Sequence, residues 1–132
     1  MNAIADRNNF LVAYPEQTIK ANPPRCWNWF DPKYQARETG EPSILAAVVE
    51  QAVSSHNIDP NRVYAAGLSA GAAITVVLGA TYPDLFMAIG VVAGPEFAAG
   101  RTAVAGLGAI TMGGPEPNHQ GLVAFQDAIR QE

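Results

Sequence analysis

Between Val63 and Pro83 no residue is charged, and inside that run sits Gly67-Leu68-Ser69-Ala70-Gly71, a G-x-S-x-G pentapeptide. A β-rich segment, Arg62 to Ala66, precedes it, and an apolar segment with helical composition, Ala72 to Thr81, follows. This order constrains the fold more than any other feature. A helix that is apolar all round must be buried, and a serine in a sharp turn between strand and helix needs small neighbours. Gly67 and Gly71 are expected to remove side chains that would clash with the incoming strand and the outgoing helix. Ser69 Oγ is then presented at the C-terminal edge of a sheet. The N–H of Ala70, at the helix start, is directed where an oxyanion would form. The competing reading is a purely structural Gly/Ala/Ser turn.

The same run is long enough to span a bilayer, and Gly67 and Gly71 form a small-xxx-small pair. Its glycines, Ser69 and threonines lower its hydrophobicity, and no basic flank marks one side. A buried strand followed by a buried helix accounts for it, and no membrane span is expected.

Other segments place the pentapeptide in an alternating pattern. Met1 to Asn8 reads as helix. Phe10 to Tyr14 is a short apolar run stopped by Pro15, as in a buried parallel strand. Gln17 to Gly40 is a connection too long for a plain linker and reads as a functional loop. Ser43 to Ser55 is helical, with Ile44, Leu45, Val48, Val49, Ala52 and Val53 on one face. Asn57 to Asn61 is a turn, and Phe86 to Val92 is a further strand. Arg101 to Met112 is ambiguous, and Leu122 to Gln131 reads as an amphipathic helix. The order β–loop–α–β–α–β–α implies a parallel sheet with helices on its faces.

The chain has 132 residues, 48% hydrophobic and 15% charged, which suits one globular domain. The eight Lys and Arg residues are scattered and the net charge is -4, so nucleic acid is not an expected partner. Cys26 is the single cysteine, and no Cys/His cluster with metal-ligand spacing occurs. No metal or organic cofactor is implied. Met1 to Asn9 is polar and lacks the apolar core of a signal peptide.

The stretch Ile58-Asp59-Pro60-Asn61-Arg62-Val63-Tyr64-Ala65-Ala66-Gly67-Leu68-Ser69-Ala70-Gly71-Ala72 resembles the secreted esterases of the poly(3-hydroxybutyrate) depolymerase family, which are related to feruloyl and acetylxylan esterases. Phe10 to Pro15, Cys26-Trp27-Asn28-Trp29-Phe30 and Tyr82-Pro83-Asp84-Leu85-Phe86 extend the resemblance. It implies an α/β-hydrolase fold and ester cleavage by a Ser–His–Asp triad through an acyl-enzyme. The substrate would be a small-molecule ester or a polyester, and the location extracellular.

Only Ser69, as nucleophile, and Ala70, as one oxyanion donor, carry over cleanly. The family's second oxyanion donor comes from a His-Gly loop before the region matched by Met1, and its acid and base follow on later strands. The expectation is therefore a single incomplete domain, residues 1–132: three parallel strands with flanking helices, lacking N-terminal and C-terminal strands. In the parent geometry a strand absent here lies between Phe10–Tyr14 and Arg62–Ala66. Those two would stand about 10 Å apart, or pair directly to close the gap.

No base is identifiable. His56 reads as a solvated residue at a helix C-terminus. His119 lies ahead of the last helix, and with Asp127 it would give the chain order Ser, His, Asp, the wrong order for the family. An unassisted serine hydroxyl is a poor nucleophile, so activity of this chain alone is doubtful. The alternative is a catalytically inactive fragment that self-associates through open sheet edges. Asp84 reads as a turn or cap residue. For Trp27 and Trp29 two readings stay open: an apolar wall for the acyl group, or side chains that cap the core under a long loop. A partner for Cys26 outside the chain is implied by the resemblance alone.

Overall fold

A computed structural model describes residues 1–114 and 116–129. Helix α1 (Asn2–Asn8) leads into a long irregular segment broken by one 3₁₀ turn, Pro32–Tyr34. Then come α2 (Gly40–Ser55), strand β1 (Tyr64–Leu68), α3 (Ala70–Thr81), strand β2 (Ala88–Val92), α4 (Ala103–Met112) and α5 (Pro117–Ile129). The expected class, α/β with parallel pairing, is what forms. Among the described residues β1 and β2 make a two-stranded parallel sheet, with Tyr64 opposite Ala88 and Leu68 opposite Val92.

The strand count differs from the three expected. Phe10–Tyr14 joins no ladder, neither with β1 nor with β2. An apolar run becomes a strand only when a neighbour supplies alternating N–H and C=O partners, and none of the described strands lies beside it. The run folds back on α1: Phe10 N–H donates to Ala5 O at 3.2 Å, and Tyr14 Oη donates to Asn2 Oδ1 at 2.8 Å. Residues 101–112, ambiguous in sequence, are helical. Thr102 caps α4 by accepting from Ala105 N–H at 3.1 Å. The last helix begins at Pro117, and Glu116 accepts there from Asn118 N–H and His119 N–H. Residues 130 and 131, expected to be helical, lie outside the described residues.

The core lies where α3 meets the sheet, α2 and the long loop, residues 17–40, called the aromatic loop for its two tryptophans. Ile74, Val77 and Leu78 of α3 pack with Leu45 of α2, with Phe86, and with Trp29 from the loop. On α2 the expected apolar face divides. Leu45 is buried and Val49 and Val53 pack against the core, while Ile44 and Val48 are exposed. Two buried threonines sit in the otherwise apolar α3. Each returns its hydroxyl to the helix backbone, Thr75 to Gly71 O and Thr81 to Val77 O, both at 2.8 Å, so neither leaves an unpaired polar group in the core.

The sheet is covered on one side only. Ile89 faces α3, where it fills the space a side chain at Gly79 would take. By alternation, Tyr64, Ala66 and Leu68 of β1 point the other way, as do Ala88, Gly90 and Val92 of β2. That face is open: Tyr64 is 62% exposed, Leu68 66% and Val92 58%.

Candidate active site

Strand β1 runs into the pentapeptide as far as Leu68, and α3 starts at Ala70, so Ser69 alone makes the turn. Its φ is 55° and ψ -120°. An L-residue in such a conformation is strained, at a cost of about 1–3 kcal/mol. Its neighbours hold it there. Ser69 N–H donates to Val92 O at 3.0 Å, extending the β1–β2 ladder, and Ser69 O accepts the first helical bond from Ala73 N–H at 3.0 Å.

Ser69 occupies the N-cap position of α3, where a serine ordinarily turns its hydroxyl onto the helix. Here it makes no such bond. The residue is exposed, and among the described residues its hydroxyl has no hydrogen-bond partner. Ala70 N–H belongs to the first turn, whose amides have no intrahelical partner, and the helix dipole adds partial positive charge beside Ser69.

The two elbow glycines behave differently. A Cβ on Gly67 would run into the backbone of Gly71 and Ala72, so strand and helix approach this closely only because residue 67 has no side chain. A Cβ on Gly71 would meet nothing within 4 Å. The expectation that Gly71 also relieves a clash is therefore corrected: its backbone is the surface against which Gly67 packs. A glycine the sequence reading did not single out, Gly94, has the complementary role. The chain leaving β2 crosses the first turn of α3 there, and a side chain would collide with Ala72. Its signal was the Ala-Gly-Pro closing the second strand.

Neither described histidine engages Ser69. The ring Nδ1 of His56 lies 3.2 Å from Ala52 O of its own helix. His119 is exposed on α5, and its backbone N–H is held by Glu116 at 2.8 Å. That bond, with the one from Asn118 N–H, holds the Glu116 carboxyl below its ordinary range. The side chain of Asp127 lies outside the described residues.

Trp29 is 3% exposed, in edge-to-face contact with Phe30 and against Gly106 of α4. It is buried in the core with Gly106 close against its indole, the arrangement of the core-capping reading. Trp27 is half-buried and borders a shallow surface cavity with Pro15, Gln17 and Arg25. Ser69 lines neither that cavity nor a second one beside Arg37 and Tyr82.

The long loop is clamped to the far end of α3. Arg37 donates to both carboxylate oxygens of Asp84 (2.6 and 2.8 Å) and to Thr81 O (3.2 Å), and its guanidinium lies 4.6 Å over the Tyr82 ring. Hydrogen bonding from Arg37 holds the Asp84 carboxyl below its ordinary value. Asp84 thus pairs across the chain and is more than a turn residue. Cys26 is an exposed free thiol. Among the described residues no group of His, Cys, Asp and Glu could hold a metal ion, and no helix is long and apolar enough to cross a membrane.

Residues 1–129 match the model of the family described as Esterase PHB depolymerase. The chain is 41% identical over 96 residues to poly(3-hydroxyalkanoate) depolymerase C of Paucimonas lemoignei, covering 73% of this chain and 23% of that protein. It is 37% identical over 121 residues to an acetylxylan esterase of Coprinopsis cinerea, covering 90% of this chain and 30% of that one. The acetyl xylan esterase from Aspergillus awamori superposes with a TM-score of 0.65 at 24% identity, over 78% of this chain and 37% of that structure, a likeness of fold. The chain thus spans about a quarter of the length of the curated relatives described. With its strand–Ser69–helix turn and its match over nearly all its length, the chain belongs to the PHB depolymerase esterase family.

Proposed function

We propose that Ser69 is the nucleophile of a carboxylic ester hydrolase. The observation that carries this reading is the conformation of Ser69: strained, exposed, and released from the capping duty its position invites. In the proposed reaction Ser69 Oγ attacks the ester carbonyl carbon and gives its proton to a base. The carbonyl electron pair moves onto oxygen, where Ala70 N–H stabilises it. Collapse expels the alcohol, protonated by that base, and leaves acyl-Ser69; water then repeats the sequence and releases the acid. The relatives' names point to esters of hydroxyalkanoates or acylated sugars as the substrate class. An extracellular setting is part of this proposal.

Among the described residues no base contacts Ser69. For the 132-residue chain by itself we expect hydrolysis of p-nitrophenyl butyrate no faster than in its Ser69→Ala variant. The deciding experiment supplies a base by transplantation. The matching 96-residue segment of this chain replaces its counterpart in the Paucimonas depolymerase. A folded chimera should turn over p-nitrophenyl butyrate and lose about 10⁴-fold or more on Ser69→Ala. Turnover indifferent to that substitution would reject the proposal.

A second reading is favoured by one observation, the open apolar face of the β1–β2 sheet. It makes the 132-residue chain an inactive module that self-associates through its sheet. Sedimentation of the purified chain as a monomer would reject it.

A further inference from the structure

Glu41 is the only charged side chain of the described residues that is buried, at 7% exposure, and no cation pairs with it. Three N–H groups converge on its carboxylate instead. Gln17 Nε2 donates to Oε1 at 2.5 Å, Asn28 Nδ2 donates to Oε1 at 2.6 Å, and Asn28 N–H donates to Oε2 at 2.7 Å. Glu41 stands in the first turn of α2, where the helix end favours negative charge. Gln17 opens the long loop and Asn28 lies near its middle, so one carboxylate staples the first half of the loop, residues 17–28, to the start of α2. The network continues inside it, where Asn28 Oδ1 accepts from Asn22 Nδ2 at 2.8 Å.

Asn28 lies between the two tryptophans. Trp29 is anchored in the core, so the position of Trp27 depends on the backbone at 28. The loop is also tied to the segment that leaves β2. Gln35 Nε2 donates to Trp29 O at 2.9 Å and to Gly100 O at 3.1 Å, and the segment that ends at Gly100 begins at Gly94, packed on Ala72 in the first turn behind Ser69. We infer that Glu41 is a positioning residue: it fixes the first half of the loop, and through it the indole of Trp27 at the surface cavity bordered by Pro15, Gln17 and Arg25, the cavity that would take the acyl chain of an ester. The acyl-chain part rests on the ester reading above; the loop part does not.

The arrangement needs a group that only accepts. A glutamine at position 41 has the same shape but turns an NH₂ toward an N–H donor. Hydrogen exchange on the 132-residue chain reads this without any turnover. Glu41→Gln should speed exchange across residues 17–30 about tenfold or more, the equivalent of one lost hydrogen bond to a charged group, with α3 unchanged. Wild-type exchange in the loop would overturn the inference, as would an equal acceleration in α3. If Glu41→Gln does not fold, Gln17→Ala removes one donor only. Faster exchange confined to the loop would support the staple, and unchanged exchange would overturn it. In the chimera, Glu41→Gln should raise KM for p-nitrophenyl octanoate about tenfold and leave kcat within about twofold. A fall in kcat at constant KM would overturn the positioning role. A chimera without Ser69-dependent turnover would instead sink the ester reading, and the exchange result alone then decides the role of Glu41.

Discussion

The backbone N–H of Ser69 donates to the carbonyl of Val92 at 3.0 Å. That single bond joins the turn residue of one strand–helix unit to the last residue of the neighbouring strand. It helps explain why a strained serine persists: the β1–β2 ladder fixes the residue before it, the bond to Val92 fixes its N–H, and the first bond of α3, from Ala73 N–H, fixes its carbonyl.

Because the strain is local, it can be removed. Ser69→Gly should stabilise the chain by about 1 kcal/mol, the relief of the strained backbone less the extra unfolded-state freedom of glycine. Ser69→Ala keeps the strain and should stay within about 0.5 kcal/mol of the parent. Urea midpoints of the three proteins check this, and equal stability of the glycine and alanine variants would contradict it.

The two elbow glycines should separate sharply. Gly67→Ala drives a methyl group into the Gly71 backbone, which cannot move without unseating α3, and should cost at least about 3 kcal/mol. Gly71→Ala enters open space inside a helix and should be neutral or stabilising by up to about 1 kcal/mol. Chemical denaturation of both variants is the measurement, and similar losses would contradict the close approach.

The sequence made the elbow legible because its signal is local: a β-rich run, a glycine, a serine, a small residue and an apolar helix in immediate succession. Helices α1, α2 and α3 are legible for the same reason, whereas residues 101–112, which form α4, carry no such local signal. Phe10–Tyr14 has the local pattern of a strand, but a strand depends on a neighbour that no local pattern encodes. The division of the α2 face, with Leu45 inside and Ile44 outside, depends on where α3 lies. Trp27 and Trp29 could not be told apart until the seat offered by Gly106 was known. The Glu41 staple joins residues up to 24 positions apart, and Arg37 and Asp84 are 47 apart, so neither leaves a periodic trace.

The Arg37–Asp84 pair gives a pH dependence of definite sign. Asp84 is held below its ordinary value by Arg37, so the folded state binds its proton less readily than the unfolded state. Its contribution is present in full above the unfolded carboxylate range and is lost as pH falls through the lowered folded value. Both side chains are partly solvated, so the pair should be worth under about 1 kcal/mol near neutral pH. Asp84→Asn should lower stability by that amount at pH 7, and the difference from the parent should vanish on acidification. A difference that grows as pH falls would contradict the assignment.

In the proposed reaction Ser69 becomes acylated. Acid-quenching the chimera during turnover of p-nitrophenyl butyrate and mapping its peptides by mass spectrometry tests this most directly. A butyryl group is expected on the peptide containing Ser69, absent from the Ser69→Ala variant, with Ser43, Ser54 and Ser55 unmodified. A butyryl group on another residue during turnover, or turnover that survives Ser69→Ala, would contradict it.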